Sequence, residues 1–467
     1  MKQHTSELVT SLLLPSWIDL RHVVASRSRG DPTNHIDIID GDDYGRCEAV
    51  GRLRRSMRNC KLQYLVLSEI EIDEDVAEAL VDLLKASRRD WEALYMEFCG
   101  GKLDQAMRSV MALDTVRRLE VTGTLSQDCM LAISEGLRGC KTLRELSLYT
   151  TLDSDNTSIL IRGLDANNGL RALRLVKSTI KKDAVEELTG FFRRNRRLKS
   201  VALDRCIASE GGMVNLLDSL SELSTLEELS IAGVLLNGSI VSAISKLTAL
   251  NGLEKLTLQD NKVTGRIGME HFFTSGALSD NNSLRILDLS RSKLNDSSLK
   301  VLIETIRTNS TLEEVRLEHN CITDDGARFL GSKMHFMKGI RRIFLHKNPI
   351  NEAGLRAILE GTRRSHRVHE ITVTVVPRTA TLSRIQVLIN YEACLNAAGR
   401  HLLQDREFPV GLWPRVFERA GKSLFSPYAK SQMKNIQSWR KIQQTDVIFH
   451  MLRHLDIGRY ANENKSN

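Results

Sequence analysis

The feature that most constrains what this chain can fold into is a repeated hydrophobic spacing. Leu-Glu-Glu-Val-Arg-Leu-Glu-His-Asn-Cys-Ile begins at Leu312, and Ile-Arg-Arg-Ile-Phe-Leu-His-Lys-Asn-Pro-Ile begins 28 residues later at Ile340. Both read LxxLxLxxNxI with aliphatic equivalents allowed. The alternating part suits a strand with one buried face, and the apolar residues that follow at three- and four-residue steps (Ile350, Leu355, Ile358, Leu359) suit a helix. A strand plus a helix in each period is a unit that buries its apolar face only against its neighbours, which is the logic of a solenoid.

The register can be counted along the chain. The first anchor of each LxxLxL falls at Leu62, Trp91, Val116, Leu143, Leu170, Leu198, Leu226, Leu253, Leu284, Leu312, Ile340 and Val368, which predicts twelve strands. All 36 anchors in these triplets are apolar in a chain that is 42% apolar, so the pattern is not a product of composition. Each large aliphatic side chain buried this way is worth roughly 1.5 to 3 kcal/mol, which makes the ladder the dominant stabilising feature. Helical stripes follow it at Val76/Leu80/Leu84, Val185/Leu188/Phe192, Leu299/Leu302/Ile306 and Leu330/Met334.

Two polar columns accompany the leucines. Three residues after the last strand anchor stand Cys99, Cys206, Asn261, Asn320 and Asn348, small side chains able to bond the backbone of the turn leaving the strand. Three residues before the first anchor stand Asn59, Asn167, Asn195, Asn281 and Asn309, where the expectation is a left-handed helix end.

At 467 residues the chain exceeds the size at which one globular core stops growing, and the repeats favour extension over division. The expected organisation is a helical and linker segment at 1–34, an atypical capping repeat at 35–61 with a strand around Ile36 to Ile39, a repeat region at 62–376, and a helical, basic carboxy-terminal cap at 377–467. That cap is expected to hold helices from Leu382 to Gln404 and from Ser431 to Leu455, packed through Trp413, Phe417, Phe425 and Trp439.

Met1 to Ser16 lacks a basic leader region, and its apolar run stops at Pro15, which leads to the expectation of a cytoplasmic chain, a nuclear one remaining open. Eight cysteines without a CxxC pair suit reduced thiols. The net charge of +8 is concentrated at the end: from Arg378 to Asn467 there are 14 Lys/Arg and 7 Asp/Glu. The repeat region is therefore close to neutral and unsuited as a whole to a polyanion, while contact of the basic end with nucleic acid or an acidic membrane is a minor reading.

Units of about 28 residues reading LxxLxLxxNxI, with Asp324-Asp325-Gly326 or Glu352-Ala353-Gly354 where the helix begins, resemble the ribonuclease-inhibitor-type leucine-rich repeats. The resemblance covers roughly Leu62 to Val376. It implies an α/β horseshoe solenoid, with a parallel sheet on the concave side and helices outside. It carries no single function, because the repeat serves inhibitors, GTPase activators, immune receptors and ubiquitin-ligase adaptors alike. The stretch from Leu226 to Leu284 departs from it. There Leu236-Asn237-Gly238-Ser239-Ile240 and Asn261-Lys262-Val263-Thr264-Gly265 resemble the shorter plant-type repeat.

Catalytic patterns are looked for and fail. Ala420-Gly421-Lys422-Ser423 lacks the earlier glycine of a phosphate loop, since Val416 stands in its place. His450 and His454 lie one helical turn apart, but Met451 replaces the glutamate of a zinc motif and no third ligand is apparent. The reading is a non-enzyme without metal, cofactor or small-molecule substrate. What the pattern offers instead is a surface, because the residue between the last two anchors of each strand points away from the core. The expected partner-binding residues are Tyr95, Glu120, Tyr149, Arg174, Asp288, Arg316, Glu318, Arg342, Phe344 and His346, with aromatic and arginine side chains as the favoured interface anchors.

The leading expectation is a scaffold that binds a protein through this face. Two regulatory alternatives stand beside it. One is a GTPase activator similar to the one acting on Ran, against which the basic rather than acidic tail counts. The other is a ubiquitin-ligase substrate receptor, since Cys394-Leu395 and Phe408 to Pro414 resemble an Elongin-binding box.

Overall fold

The computed structural model describes residues 35–39, 64–68, 70–86, 91–249, 252–263, 269–373 and 379–399. They form two compact units, divided between Thr225 and Leu226. The first contains β1 (His35–Ile39), β2 (Tyr64–Ser68), β3 (Glu71–Ile72), α1 (Glu74–Ala86), β4 (Trp91–Glu97), β5 (Gly100–Gly101), α2 (Leu103–Leu113), β6 (Val116–Thr122), α3 (Gln127–Gly139), β7 (Glu145–Tyr149), α4 (Ser154–Ala166), β8 (Ala172–Val176), α5 (Lys182–Arg194), β9 (Ser200–Asp204) and α6 (Glu210–Ser221). The second contains β10 (Glu228–Ser230), β11 (Leu235–Leu236), α7 (Gly238–Thr248), β12 (Lys255–Thr257), β13 (Lys262–Val263), α8 (Met269–Thr274), β14 (Ile286–Asp288), α9 (Asp296–Ile306), β15 (Glu314–Arg316), α10 (Asp324–Lys333), β16 (Arg342–Phe344), α11 (Glu352–Arg364), β17 (Glu370–Thr372) and α12 (Ala380–Ala397).

All twelve strands expected from the leucine spacing are present. In the first unit β1, β2, β4, β6, β7, β8 and β9 pair in parallel in that order. In the second, β10, β12, β14, β15, β16 and β17 do the same. The register aligns each anchor with its counterpart one repeat on, as Leu146 with Leu173 or Val315 with Ile343. Leu62 lies outside the described residues; every other anchor is at most 5% exposed. The aliphatic spine is thus continuous through each unit. The helical stripes read from the sequence are buried with it, Val76, Leu80 and Leu84 and Leu299, Leu302 and Ile306 among them.

The polar columns seal the coils to one another. Asn320 donates from Nδ2 to the Leu289 and Leu317 carbonyls at 3.0 Å each, and its Oδ1 accepts from the Ser292 and Leu294 amides at 3.0 Å. Asn348 repeats the pattern on Leu317, Leu345 and Ile322. The bonds reach the turn of the preceding coil, where parallel strands and departing chain would otherwise leave buried amides unpaired. Cys206 is a weaker substitute, its Sγ donating to the Leu175 carbonyl at 3.2 Å.

The second asparagine column corrects an expectation. Asn167 and Asn195 are extended, with φ of −81° and −71°, and not left-handed. The Oδ1 of Asn167 accepts from the Gly169 and Leu170 amides, while Nδ2 donates backwards to Leu137 and Cys140. Asn281 and Asn309 do likewise. The side chain itself closes the helix end, so the backbone has no need of a left-handed turn. Asn59 lies outside the described residues.

The glycine of Asp-Asp-Gly and Glu-Ala-Gly has a steric reason. Gly354 packs so close to Asp324 Oδ1, whose acceptor it shares with the Asn351 amide, that a Cβ would collide with the carboxylate. Between Leu226 and Leu284, where the plant-type likeness was read, β11 and β13 form a separate two-stranded parallel sheet. A second such sheet, β3 with β5, was not foreseen.

At the far end α12 packs on α11 and β17, and Asn396 donates to the Thr362 and Val368 carbonyls at 3.0 Å each. That is the helix-end asparagine again, so α12 completes the coil begun by β17, and repeat geometry runs on past residue 376. The expected helix at Ser431 to Leu455, the aromatic residues of the cap, the amino-terminal segment, and both the phosphate-loop remnant and the His450/His454 pair lie outside the described residues.

Candidate functional site

Strand alternation sends the anchors into the core and their immediate neighbours to the opposite face. On that face each unit carries a polar and aromatic floor.

In the first unit the rows read Tyr95, Glu120, Ser147, Arg174 and, two residues upstream, Ala93, Arg118, Glu145, Ala172. Glu145 is the hub. Its Oε2 accepts from Arg118 Nε at 2.8 Å and its Oε1 lies 3.4 Å from Arg174 Nη1. Glu120 is hydrogen-bonded to Tyr149, and burial, with Glu97 next, pushes its carboxyl up to about 7. Burial and then Glu120 raise the Tyr149 phenol. Tyr95 is 4% exposed and packs with Val66, Ala93 and Tyr64. The floor is therefore more enclosed than a solvated sheet face.

In the second unit Glu314, 4% exposed, holds two arginines. Arg316 Nε donates to one carboxylate oxygen at 2.5 Å, and Arg342 Nε is 2.6 Å from the other. The Arg316 guanidinium lies over the Phe344 ring, 5.5 Å from its centroid, within cation–π range. Asp288 and Glu318 share Ser290, whose amide donates to Asp288 at 2.9 Å and whose hydroxyl donates to Glu318 at 2.7 Å. Burial, reinforced by Asp288, raises the Glu318 carboxyl. Beyond the strand ends Arg291 Nη2 is 3.4 Å from His319 Nε2. Burial, Arg291, Lys347 and His346 together push the His319 imidazole down to about 4, and burial with Lys347 lowers His346.

The ten residues expected from the sequence thus gather into two groups: Tyr95, Glu120, Tyr149 and Arg174 in the first unit, and Asp288, Arg316, Glu318, Arg342, Phe344 and His346 in the second. Their organising partners were missed. Arg118, Glu145 and Glu314 sit two residues upstream of the position chosen, hence on the same face, and extending the alternation by one step would have found them. Arg291, His319 and Lys347 follow the last anchor by two residues in left-handed turns (φ 60°, 55° and 57°), a site that strand periodicity does not reach.

The arrangement offers recognition chemistry: charge clamps, an arginine–aromatic pair and buried carboxylates. Among the described residues no group of three or more His, Cys, Asp or Glu is placed to hold a metal ion, and no helix is long and apolar enough to cross a membrane. In α12 Leu395 is 1% exposed, and burial pushes the neighbouring Cys394 thiol up to about 11. The leucine of the expected adaptor-binding pair is thus turned inward.

Comparison with known proteins agrees with the repeats. The family profile described as Leucine Rich repeat matches residues 280–302 and 308–331. Protein NLRC5 of Ictalurus punctatus is 29% identical over 210 residues, covering 43% of this chain and 12% of the relative. NACHT, LRR and PYD domains-containing protein 14 of Mus musculus is 27% identical over 231 residues, 48% of this chain and 23% of the relative. Protein TORNADO 1 of Arabidopsis thaliana is 24% identical over 265 residues, 54% and 19% respectively. The chain spans under a quarter of the length of these curated relatives. Among solved structures, TLR13 in complex with ssRNA13 has 15% identity and a TM-score of 0.37 over 68% of this chain and 40% of that one. An internalin from Listeria monocytogenes has 14% identity and a TM-score of 0.36 over 70% and 94%. With parallel strands, the helices between them and asparagine-sealed turns in place, and the repeat profile matching two of its coils, this chain carries leucine-rich repeats and is similar to the ribonuclease-inhibitor-like kind.

Proposed function

We propose that the chain is a non-enzymatic scaffold that binds a protein partner through the strand face of its repeats. Leucine-rich-repeat proteins generally act in protein–protein interaction. The observation that carries the reading for this chain is the Arg316–Phe344 pair, set on the strand face and anchored from below by Glu314. Arginine and aromatic side chains dominate interface energetics when they are rigidly held, because less side-chain freedom is lost on binding. Arg342 and His346 border the pair and extend it to a patch of mixed charge.

The test is partner capture from native extract by the full chain and by a variant carrying Arg316→Ala, Phe344→Ala and His346→Ala. Loss of specific partners from the variant supports the reading. An identical capture profile for the two proteins contradicts the placement of the site.

A further inference from the structure

We propose that the floor formed by β4, β6, β7 and β8 receives a basic side chain, an arginine or lysine presented by the protein partner. The inference deepens the scaffold reading and rests on it.

Four carboxylates face this part of the first unit: Glu97 on β4, Glu120 on β6, Glu145 on β7 and Asp204 on β9, the last acting on Tyr149. Two guanidinium groups oppose them, Arg118 and Arg174, and Glu145 engages both. Glu120 has Tyr149 as its hydrogen-bond donor and Arg174 as an attracting neighbour, against burial and the repulsion of Glu97 and Glu145, which together hold its carboxyl above the usual range. In the row Tyr95, Glu120, Ser147, Arg174 the serine stands directly beside Glu120. Ser147 is 1% exposed, and its hydroxyl has no hydrogen-bond partner among the described residues. A buried hydroxyl without a partner costs stability, so a site that retains one beside a carboxylate repelled by two others and only partly offset by Arg174 is arranged for a donor from outside. The chemistry that satisfies both is a cation with N–H groups: it neutralises Glu120 and donates to Ser147. Tyr95 stands beside Glu120 on the neighbouring strand and Tyr149 hydrogen-bonds it, so two aromatic side chains border the position, a residue type that favours cations.

Occupancy by a cation favours the ionised carboxylate, so binding releases the proton that Glu120 otherwise holds near neutral pH. Affinity for a basic ligand then rises as pH increases from 6 to 8, by about tenfold for a single carboxyl titrating near 7.

The experiment uses the full chain and three small probes of one shape: N-acetyl-arginine amide, N-acetyl-lysine amide and the neutral N-acetyl-citrulline amide. Binding is followed by protein-observed NMR titration at pH 6 and pH 8. The expected result is saturable binding of the arginine or lysine probe, at least about tenfold tighter than citrulline, tighter at pH 8, and weakened about tenfold in E120Q. Equal affinities for arginine, lysine and citrulline, or E120Q binding the cationic probes as tightly as the unmodified protein, overturns the proposal. Should E120Q fail to fold, S147A decides: a loss of about threefold supports the site and no change overturns it. Partner capture by the Arg316, Phe344, His346 variant is read separately, so a failed titration with that capture intact removes this inference and leaves the scaffold reading standing.

Discussion

Glu314 on β15 and Arg342 on β16 stand directly opposite in the parallel ladder, one repeat apart, with Arg342 Nε 2.6 Å from the carboxylate. The same carboxylate takes Arg316 on its other oxygen. The first unit uses the same device, Glu145 between Arg118 and Arg174. In both places a glutamate one step upstream of the exposed position fixes two arginines on the floor.

This arrangement makes Glu314 a support for the site as well as for the sheet. Glu314→Ala leaves two guanidinium groups over a partly desolvated pocket, and because both arginines keep access to solvent the expected cost is about 1 to 2 kcal/mol. Urea denaturation measures it. Partner capture is expected to fall in the same variant while the fold is retained.

Asn320 is expected to matter more to stability than any surface charge. Its replacement by alanine orphans the Ser292 and Leu294 amides and the Leu289 carbonyl inside the turn column, while the Leu317 carbonyl keeps Asn348, at a cost of about 2 to 4 kcal/mol. Hydrogen exchange provides the local readout: the Ser292 and Leu294 amides are expected to lose protection, whereas amides of β6 and β7 in the other unit keep theirs.

Glu120 and the pH dependence of stability are linked. Its folded carboxyl is raised above the model-peptide value of about 4.3, so the folded chain binds the extra proton between that pH and about 7. Stability from this group is fully present below that window and is lost as pH rises through it. Glu120→Gln is therefore expected to stabilise the protein at pH 8, on the order of 2 kcal/mol, with the difference vanishing towards pH 4. Denaturation midpoints at four pH values test this.

His319 slopes the other way. Its folded imidazole is held down to about 4 by burial, Arg291, Lys347 and His346, so the unfolded chain binds more protons between pH 4 and 6.5. Stability is full above 6.5 and falls as pH drops through that range. His319→Gln is expected to flatten this limb of the pH–stability curve, and an NMR titration of the imidazole is expected to show it neutral at pH 6.

The fold was legible because burial imposes a period: Leu143, Leu146 and Leu148 recur in every coil, and no alternative pairing buries them all. The asparagine columns were legible as positions and less so as conformations. Asn167 closes its helix through side-chain bonds to a coil 30 residues away, a long-range partner that local helix-capping rules do not contain. The site was half legible for a related reason. Alternation points Tyr95 and Phe344 outward, but which neighbour organises them depends on cross-strand register, and only the paired strands bring Glu145 between Arg118 and Arg174. The end of the repeats at 376 was read from a proline, whereas Asn396 shows the last coil closing later.

The central claim is that the strand face, and not the helices, carries the partner. Site-specific photo-crosslinking in native cells addresses it directly, with a benzoyl-phenylalanine placed at Phe344 on β16 and, in a second protein, at Phe329 on the outer helix α10. The account predicts discrete protein adducts at Phe344 that Arg316→Ala diminishes, and none of these adducts at Phe329. Adducts at Phe329 with none at Phe344, or the same set at both, would contradict it.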